Sequence, residues 1–339
     1  MKILKIIIPA CLLLTTPFVK AQQRVALQSS GTTSIYSSTD PFIAAYTDAI
    51  SGDTIYLSGG AFTAPATIDK DITIFGAGFH LDSTTATYPT IISNNITIGG
   101  NADNLYMEGM ELQTITHYSQ DTTNNVSFVR CRIGAINADY QYPGESNGWF
   151  LLQNVIVGNV ELSAVISSLV SHNILTGRII NSKTNLFSNN LIKNQGSYSA
   201  YTFTSLQNNT IVNNVISHTG SYFSTSLSGN IWENNVFAEN NPPLGVPVID
   251  NNNYKNIDLT TVFVNQTGNT FDYSHDYHLQ TAAQTLYPGN DSTEVGIYGG
   301  TFPFKDGAVP QNPHISSKTI APLTTANGDL NIQIQVIAQ

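Results

Sequence analysis

Four acidic residues near the end of the chain have the oxygen ligands and the clustering of a calcium site. They are Asp272, Asp276, Asp291 and Glu294, with His275 and His278 among them. Carboxylate oxygens suit Ca²⁺, so a calcium site is one hypothesis, although the spacing is not that of an EF-hand loop. The alternative is a solvated turn that caps the last coil of the fold. The seven histidines form no HExxH or similar array, so a zinc site is not expected.

A second charged group, nearer the N-terminus, combines acids with two arginines. It comprises Glu108, Glu111, Asp121, Asp139, Arg130 and Arg132. Polysaccharide lyases need carboxylates to hold Ca²⁺ and a Lys or Arg to remove a proton, so a lyase-like site is one interpretation. The other is that these are ordinary charges beside strands. Between Leu162 and Trp232 the chain has no Asp or Glu, and the sequence assigns no catalytic residue.

Aromatic residues in three loops form a third candidate, a binding surface for sugars. The residues are Tyr140, Tyr142, Trp149, Tyr198 and Tyr222. Tyr198 and Tyr222 each lie nine residues after the start of an Asn–Asn pair, so in a repeating fold they project from one edge of neighbouring turns. Aromatic faces stack on sugar rings, while Asn and Ser side chains bond the hydroxyls. The alternative is that these rings pack against the wall of the fold.

The elements that position these residues follow from a repeat in the middle of the chain. Its marker is a polar residue and an Asn followed by apolar residues: QNVIV at Gln153, HNILT at His172, NNLI at Asn189, NNVIS at Asn213 and NNVF at Asn234, with weaker copies GMEL at Gly109 and RCRI at Arg130. The starts are 21, 23, 19, 17, 24 and 21 residues apart, about 21 on average. Without a helical pattern between them, this period predicts a parallel β-helix with one turn per repeat.

The asparagines of the marker are predicted to be structural. Strand side chains alternate, so apolar residues point into the bore and Ser, Thr and Asn point outward. Asn also tolerates the left-handed backbone of tight bends, and its amide can bond the Asn one turn above. We therefore expect a structural role at the bends for Asn154, Asn173, Asn190, Asn214 and Asn235.

The N-terminus is typical of an exported protein. Met1–Lys5 is basic, Ile6–Leu14 is apolar, and small residues precede a cleavage position after Ala21, so residues 1–21 are predicted to be a signal peptide. A lipoprotein signal ending at Cys11 is the alternative. We expect a secreted or outer-surface protein with one remaining cysteine, Cys131, and hence no internal disulfide.

The composition limits the partners and the number of domains. The net charge is -10 with only 13 Lys and Arg, so a nucleic-acid partner is not expected. After the signal peptide no apolar run approaches ~20 residues, so no transmembrane segment is expected. We predict a monomer with a β-helix domain over residues 22–300 and a tail over 301–339. Asp40–Ile50 predicts a short helix that closes the first coil, and NIQIQVIA in the tail predicts a strand.

A family resemblance accompanies this pattern. GDTIYLSGGAFT and ATIDKDITIFGAG, followed by Asn-centred coils, resemble the right-handed parallel β-helix superfamily with the pectin-lyase-like fold. Asp276–Gly300 resembles the terminal coil of secreted bacterial members, and the signal peptide and tail are similar to those of uncharacterised secreted Bacteroidetes proteins. The resemblance implies an all-β, single-stranded parallel β-helix and is weak for activity, because the superfamily hosts lyases, hydrolases, epimerases, binding proteins and adhesins.

Two classes of function remain open. The first is a protein that binds polysaccharide or a cell-surface glycan, or that serves a structural or adhesive role. The second is a polysaccharide lyase or glycoside hydrolase acting on an acidic or plant or algal polysaccharide. Ice binding ranks third, because it requires regular Thr ladders and the threonines here are scattered.

Overall fold

The structure, a computed structural model, describes residues 23–118, 122–139, 145–193, 201–220, 222–266 and 271–338. These residues form an all-β parallel solenoid of about nine turns, with about 21 residues in each turn, which confirms the fold predicted from the repeat. No helix among them is long and apolar enough to cross a membrane.

One wall of the solenoid is a sheet of twelve strands within the described residues, which we call the first sheet. Its pairing is parallel from Thr54–Leu57 onward, with Ser127, Phe150 and Leu169 in register on successive turns. Across the sheet, the strands are Thr32–Tyr36, Val25–Ser29, Thr54–Leu57, Thr73–Phe75, Tyr106–Glu108, Ser127–Val129, Phe150–Leu152, Leu169–Ser171, Leu186–Ser188, Thr210–Val212, Asn230–Glu233 and Val248–Asn251.

The second sheet has fifteen strands within the described residues. Arg132–Asp139 pairs with two short strands of the next turn, Val155–Ile156 and Val160–Leu162, because a bend at Gly158 divides that turn. In chain order the strands are Gly60–Phe62, Thr67–Ile68, Thr90–Ile92, Ile96–Ile98, Glu111–Tyr118, Arg132–Asp139, Val155–Ile156, Val160–Leu162, Ile174–Leu175, Ile179–Ile180, Leu191–Ile192, Phe203–Thr204, Val215–Ile216, Ser224–Thr225 and Val236–Phe237.

Smaller elements complete the described structure. Ser146–Asn147 pairs with Val165–Ile166 in parallel. Two antiparallel pairs lie near the C-terminus, Phe263–Asn265 with Asp276–Leu279 and His314–Ile320 with Ile332–Ile337. The helices are Pro41–Asp48 and Thr281–Leu286, and single 3₁₀ turns span Asp82–Thr84, Leu259–Thr261 and Asp306–Ala308.

The N-terminal helix forms as predicted and lies at the start of the solenoid. Pro41 occupies its first turn, and Phe42, Ala45 and Tyr46 are buried. Asp40 stands at the N-cap position, but its side chain makes no capping hydrogen bond. The other end is capped instead by Lys70, whose Nζ donates to the carbonyl oxygens of Tyr46 at 2.6 Å and of Ala49 at 2.8 Å. A cation is favourable there because helix C-termini carry partial negative charge.

The predicted asparagines form a ladder, but their side chains are buried in the bore rather than turned outward, and the positive φ lies at the residue before each of them. Asn190 shows the pattern: its Oδ1 accepts the backbone N–H of Asn173 at 2.9 Å and the side-chain amide of Asn173 at 3.0 Å. Its own Nδ2 donates to Asn214 Oδ1 and to the carbonyl oxygen of Val170. The same bonds join Asn154, Asn173, Asn190, Asn214, Asn235 and Asn253. The ladder satisfies buried amide groups in the turns from Asn154 to Asn253.

A second ladder, which was not predicted, occupies another corner. Asn185 Oδ1 accepts a hydrogen bond from the backbone N–H of Ser168 at 2.8 Å. In the same way Asn209 Oδ1 accepts from the backbone N–H of Asn185 at 3.0 Å. Asn230 Oδ1 accepts from that of Asn209 at 2.9 Å. The residue before each of these asparagines has a positive φ, as in the first ladder. The pairs TN, NN and GN at residues 184–185, 208–209 and 229–230 carried this signal.

A strap, Pro288–Gln311, runs back along the outside of the solenoid. The first residue of each marker pair faces outward and bonds the strap, while the second enters the ladder. From the C-terminal to the N-terminal turns, the bonded pairs are Asn234 with Pro288, Asn213 with Asn290 and Gly296, Asn189 with Gly296, His172 with Gly299, Gln153 with Phe302 and Pro303, and Arg130 with Val309.

The strap corrects the expectation that Asp276–Gly300 forms a terminal coil. This segment lies outside the solenoid, where it packs on an apolar row of the second sheet. The row is Val155, Ile174, Leu191, Val215 and Val236, and it forms a second core with residues that include Val262, Leu279, Val295 and Ile297. Covering this row removes apolar surface from water, which stabilises the fold by about 25 cal/mol per Å² of apolar area buried.

The tail forms the predicted strand as one half of a hairpin. Ile332–Ile337 pairs with His314–Ile320 in an exposed hairpin. The hairpin follows Gln311, whose backbone N–H donates to Glu108 Oε1 at 2.8 Å, close to the N-terminal turns. The tail reaches this place because the strap has returned along the solenoid.

The charged group with Glu108 forms a structural network. Glu108 Oε1 lies 3.1 Å from the Arg130 guanidinium, and both side chains are buried. Arg130 Nε also donates to Gln153 Oε1 at 2.6 Å. Glu111 and Arg132 form a separate, partly exposed pair at 2.8 Å. Asp139 ends the strand Arg132–Asp139, and Asp121 lies outside the described residues. Two carboxylates of the expected lyase-like site, Glu108 and Glu111, are therefore paired with its two arginines.

Replacing Asn190 with alanine should lower the free energy of unfolding by about 2–6 kcal/mol, because the backbone N–H of Asn173 and the carbonyl oxygen of Val170 would lose buried partners at about 1–3 kcal/mol each. Urea denaturation measures the change. Asn251→Ala is the matched control, since Asn251 is exposed, and it should change the value by less than about 0.5 kcal/mol. Equal effects of the two variants would contradict a stabilising ladder.

Replacing Glu108 with alanine should destabilise the fold by about 3–5 kcal/mol, because it leaves the Arg130 charge buried without its partner. Glu111→Ala removes a partly exposed pair and should cost less than about 1 kcal/mol. Urea denaturation gives both values, and tryptic cleavage after Lys305 reports release of the strap. If Glu108→Ala were no more destabilising than Glu111→Ala, the network would not anchor the strap.

Candidate functional site

A cavity of about 540 Å³ lies where the strap crosses the outer surface of the second sheet. We call it the tyrosine cavity. Three segments line it, residues 79–83, 271–278 and 298–308, together with Val155 and Ile174 from the solenoid. The solenoid supplies a rigid floor, whereas the irregular segments supply most of the polar and aromatic side chains. Such a concave site with converging polar groups is the usual setting for ligand binding.

Aromatic rings form one wall of the tyrosine cavity. Tyr273 is 47% exposed, and its ring meets those of His80 and Phe271 edge to face, each with centroids 4.8 Å apart. Burial raises the pKa of Tyr273, although the charge of Arg132 and its hydrogen bond to the tyrosine lower it. The phenol therefore stays protonated at neutral pH and can donate a hydrogen bond.

A stacked His–Tyr pair with two carboxylates forms the polar part of the cavity. The rings of His278 and Tyr298 lie parallel, with centroids 3.6 Å apart and planes 8° apart. Asp276 Oδ1 is 2.7 Å from His278 Nδ1, and the Tyr298 hydroxyl donates to Asp306 Oδ1 at 2.6 Å. These bonds orient two carboxylates that line the same cavity.

The ionisation of these groups follows from their contacts. Burial raises the pKa of Asp276, but hydrogen bonds from the backbone and ring of His278 outweigh it, so the pKa lies below its ordinary value. Burial and the bond to Asp306 both raise the pKa of Tyr298. At neutral pH the cavity therefore holds an ionised Asp276 and a neutral Tyr298.

The four acids of the expected calcium site lie in different settings. Asp272 and Asp276 line the tyrosine cavity, but Asp291 lines a different one. Asp272 accepts from the backbone and hydroxyl of Ser274, and Asp291 from those of Thr293, as in ordinary turns. Glu294 accepts from Gln284, and burial raises its pKa. Within the described ranges, no three His, Cys, Asp or Glu residues are placed to hold a metal ion.

The aromatic residues predicted to bind sugars have mixed outcomes. Trp149 is fully buried in the bore, where its Nε1 donates to Thr123 Oγ1 at 3.3 Å, so its ring is a core element rather than a surface. Tyr222 is 38% exposed and packs edge to face on Tyr201 at 5.4 Å. Tyr140, Tyr142 and Tyr198 lie outside the described residues.

Sequence reasoning missed most of the tyrosine cavity. His80, Tyr273, Tyr298 and Asp306 were not candidates, although the segment FDYSHDYHL, Phe271–Leu279, is unusually rich in aromatic and acidic residues. That composition was a usable signal. The sequence could not show that residues of the strap lie beside this segment, because the strap contacts the solenoid only in the folded protein.

Lys193 lies behind the tyrosine cavity as a buried, unpaired amine. It is 2% exposed, and its Nζ makes no hydrogen bond within the described structure. The nitrogen lies 5.3 Å from the ring centroid of Tyr277, an aromatic contact that favours the charged form. Burial nevertheless lowers the pKa of Lys193 from 10.5 to about 8. The charged amine of Lys193 therefore destabilises the folded state at neutral pH.

The free energy of unfolding should rise with pH above about pH 8, because the unfolded chain, with a lysine pKa of 10.5, binds more protons than the folded one. Lys193→Met should be more stable at pH 7 and should flatten this rise between about pH 8 and 10.5. Urea denaturation at several pH values measures both effects. Lys183→Met, at an exposed lysine, should leave the rise unchanged. An unaltered slope in Lys193→Met would refute the assignment.

No family model, curated protein or solved structure matches the chain. The structure itself therefore establishes the β-solenoid, which is consistent with a β-helix superfamily. Because unrelated activities occur on one fold, function has to be argued from the side chains that the fold brings together.

Proposed function

We propose that the protein binds a neutral polysaccharide in the tyrosine cavity. The observation that carries the proposal is the combination of one exposed aromatic ring, Tyr273, with oriented carboxylates in one cavity of about 540 Å³. Aromatic faces stack on the apolar faces of sugar rings, and carboxylates accept hydrogen bonds from sugar hydroxyls. Tyr273 supplies the ring, while Asp276 and Asp306 supply the acceptors.

The charge of the tyrosine cavity favours neutral over acidic sugars. Among the described residues that line it, four are aspartates, Asp82, Asp272, Asp276 and Asp306, and none is Lys or Arg. A uronate carboxylate would enter an environment of its own charge, without a cation to pair with. The nearby Arg132 is already paired with Glu111 at 2.8 Å.

The proposal also includes two expectations from the sequence, namely export and a pectin-lyase-like relationship. Export through the signal peptide in residues 1–21 would bring the protein to extracellular polysaccharide, and a pectin-lyase-like relationship among secreted Bacteroidetes proteins is consistent with that role. Binding, rather than proton abstraction from a uronate, suits a cavity whose described lining lacks Lys and Arg.

A glycoside hydrolase is the second candidate, and one observation favours it. Asp276 and Asp306 line the same cavity, and glycosidases use two carboxylates on either side of the scissile bond. In that case Asp276, whose pKa is lowered, would be the ionised partner.

Affinity electrophoresis tests the proposal, with the protein run through gels that contain xylan, mannan, a β-glucan, alginate or polygalacturonate, with and without Ca²⁺. We expect retardation by at least one neutral polymer and little by the two acidic ones. Tyr273→Ala should weaken binding about two- to twelvefold, because an aromatic contact contributes roughly 0.5–1.5 kcal/mol. Tyr88→Ala, at a 62% exposed tyrosine outside the cavity, is the matched control.

Two further variants separate the alternatives. Loss of binding in Tyr222→Ala but not in Tyr273→Ala would place the sugar at the aromatic loops instead. New reducing ends that disappear in Asp276→Asn would establish a hydrolase. Retardation by none of the neutral polymers would overturn the proposal.

A further inference from the structure

A second cavity, of about 580 Å³, lies between the strap and the outer surface of the first sheet. We call it the serine cavity. It is lined by apolar side chains of Phe150, Leu152, Leu169 and Val212, together with Phe302 of the strap. Ser171, His172, Ser188 and Asn189 line the same cavity. An apolar pocket with a few hydroxyl and imidazole groups is suited to a small acyl group.

The hydrogen bonds around His172 define its tautomer. His172 Nε2 lies 2.9 Å from the carbonyl oxygen of Gly299, which can only accept, so Nε2 carries the proton and donates. In the neutral ring Nδ1 is then an acceptor. The Ser171 hydroxyl, 2.7 Å from Nδ1, donates to it. The Ser188 hydroxyl, 2.8 Å from Ser171 Oγ, donates to Ser171 in turn.

The neutral state of His172 agrees with its surroundings. Burial lowers the pKa of His172, while the bond to the Gly299 carbonyl and the negative charge of Asp291 raise it, and the net shift is downward. The imidazole is therefore free to accept a proton at neutral pH. Only glycine fits at position 299, since a Cβ there would overlap the carbonyl oxygen of Glu294.

This arrangement has the three parts of an activated serine: a nucleophile, a base and a group that orients the base. We propose that Ser171 and His172 form a catalytic dyad that hydrolyses small acyl esters in the serine cavity. The Gly299 carbonyl orients the imidazole. Asn189 lines the cavity with an amide nitrogen that makes one hydrogen bond within the described residues, at 3.3 Å to Gly296, so its second N–H is the donor for the ester oxygen.

The reaction is a two-step acyl transfer. Ser171 Oγ attacks the ester carbonyl carbon as its proton moves to His172 Nδ1, and the resulting intermediate expels the alcohol, which takes that proton. Water then attacks the acyl–Ser171 ester and passes a proton to His172. Collapse of this second intermediate releases the carboxylic acid and returns the proton to Ser171.

His172 also belongs to the row of residues that hold the strap. A substitution at His172 therefore has to remove the general base while it keeps the hydrogen bond to the strap. Gln153, one turn earlier, holds the strap by donating from its side-chain amide to the carbonyl oxygens of Phe302 and Pro303. His172→Gln therefore keeps a donor for Gly299 but removes the base. Equal urea midpoints for this variant and the wild type would show that the strap contact survives.

The experiment measures hydrolysis of p-nitrophenyl acetate and butyrate, and labelling of the purified protein by a fluorophosphonate probe with the site located by mass spectrometry. We expect one adduct, on Ser171, and turnover that falls to background in Ser171→Ala. His172→Gln should lower the rate of ester hydrolysis and the rate of labelling about 100-fold or more each, the usual contribution of a general base. Ser217→Ala, at an equally buried serine outside the cavity, should change neither rate.

The wild-type labelling result decides the proposal even if a variant fails to fold. Absence of an adduct on Ser171, or labelling that is unchanged in a folded His172→Gln, would overturn it. The proposal is independent of sugar binding in the tyrosine cavity, and Tyr273→Ala should hydrolyse both esters at the wild-type rate.

Discussion

The structure depends on one tight corner that recurs in successive turns of the solenoid from Gln153 onward. There a residue with positive φ precedes an asparagine whose amide is buried in the bore, as at Gln153–Asn154 and His172–Asn173. A buried amide without partners would cost about 1–3 kcal/mol, and the asparagine of the next turn supplies those partners at 2.8–3.1 Å. A slip by one residue would bring the outward residue into the bore, so the ladder sets the register of both sheets.

The same corner also organises the outside of the molecule. Because the first residue of each pair faces outward, the turns present a row of polar side chains that bind the main chain of the strap. The buried pair of Glu108 and Arg130 completes that row at the N-terminal turns. The strap in turn covers the apolar row that runs from Val155 to Val236. Two buried surfaces, one inside the bore and one beneath the strap, thus arise from a single repeated dipeptide.

Both candidate sites lie where this regular surface meets the irregular strap. The solenoid contributes rigid positions, such as Ser171 at the end of a first-sheet strand, and the strap contributes groups that no repeat would provide. Tyr298 and Asp306 enter the tyrosine cavity in this way, as Gly299 enters the hydrogen bonds of His172. Rigid elements with functional loops laid over them are a common division of labour in proteins.

The sequence by itself determined the turn length, the parallel solenoid, the N-terminal helix and the asparagine ladder, because each depends on local backbone preference and on a period that can be counted along the chain. Only the tertiary structure decided which aromatic residues are accessible: Trp149 and Tyr222 were both predicted on loops, but one fills the bore and the other faces solvent. It also decided that Asp272 and Asp276 share a cavity with Tyr298 and Asp306, while Asp291 lines another. Contacts such as His172 with Gly299, 127 residues apart, leave no periodic signal, since they form only when the strap returns along the solenoid.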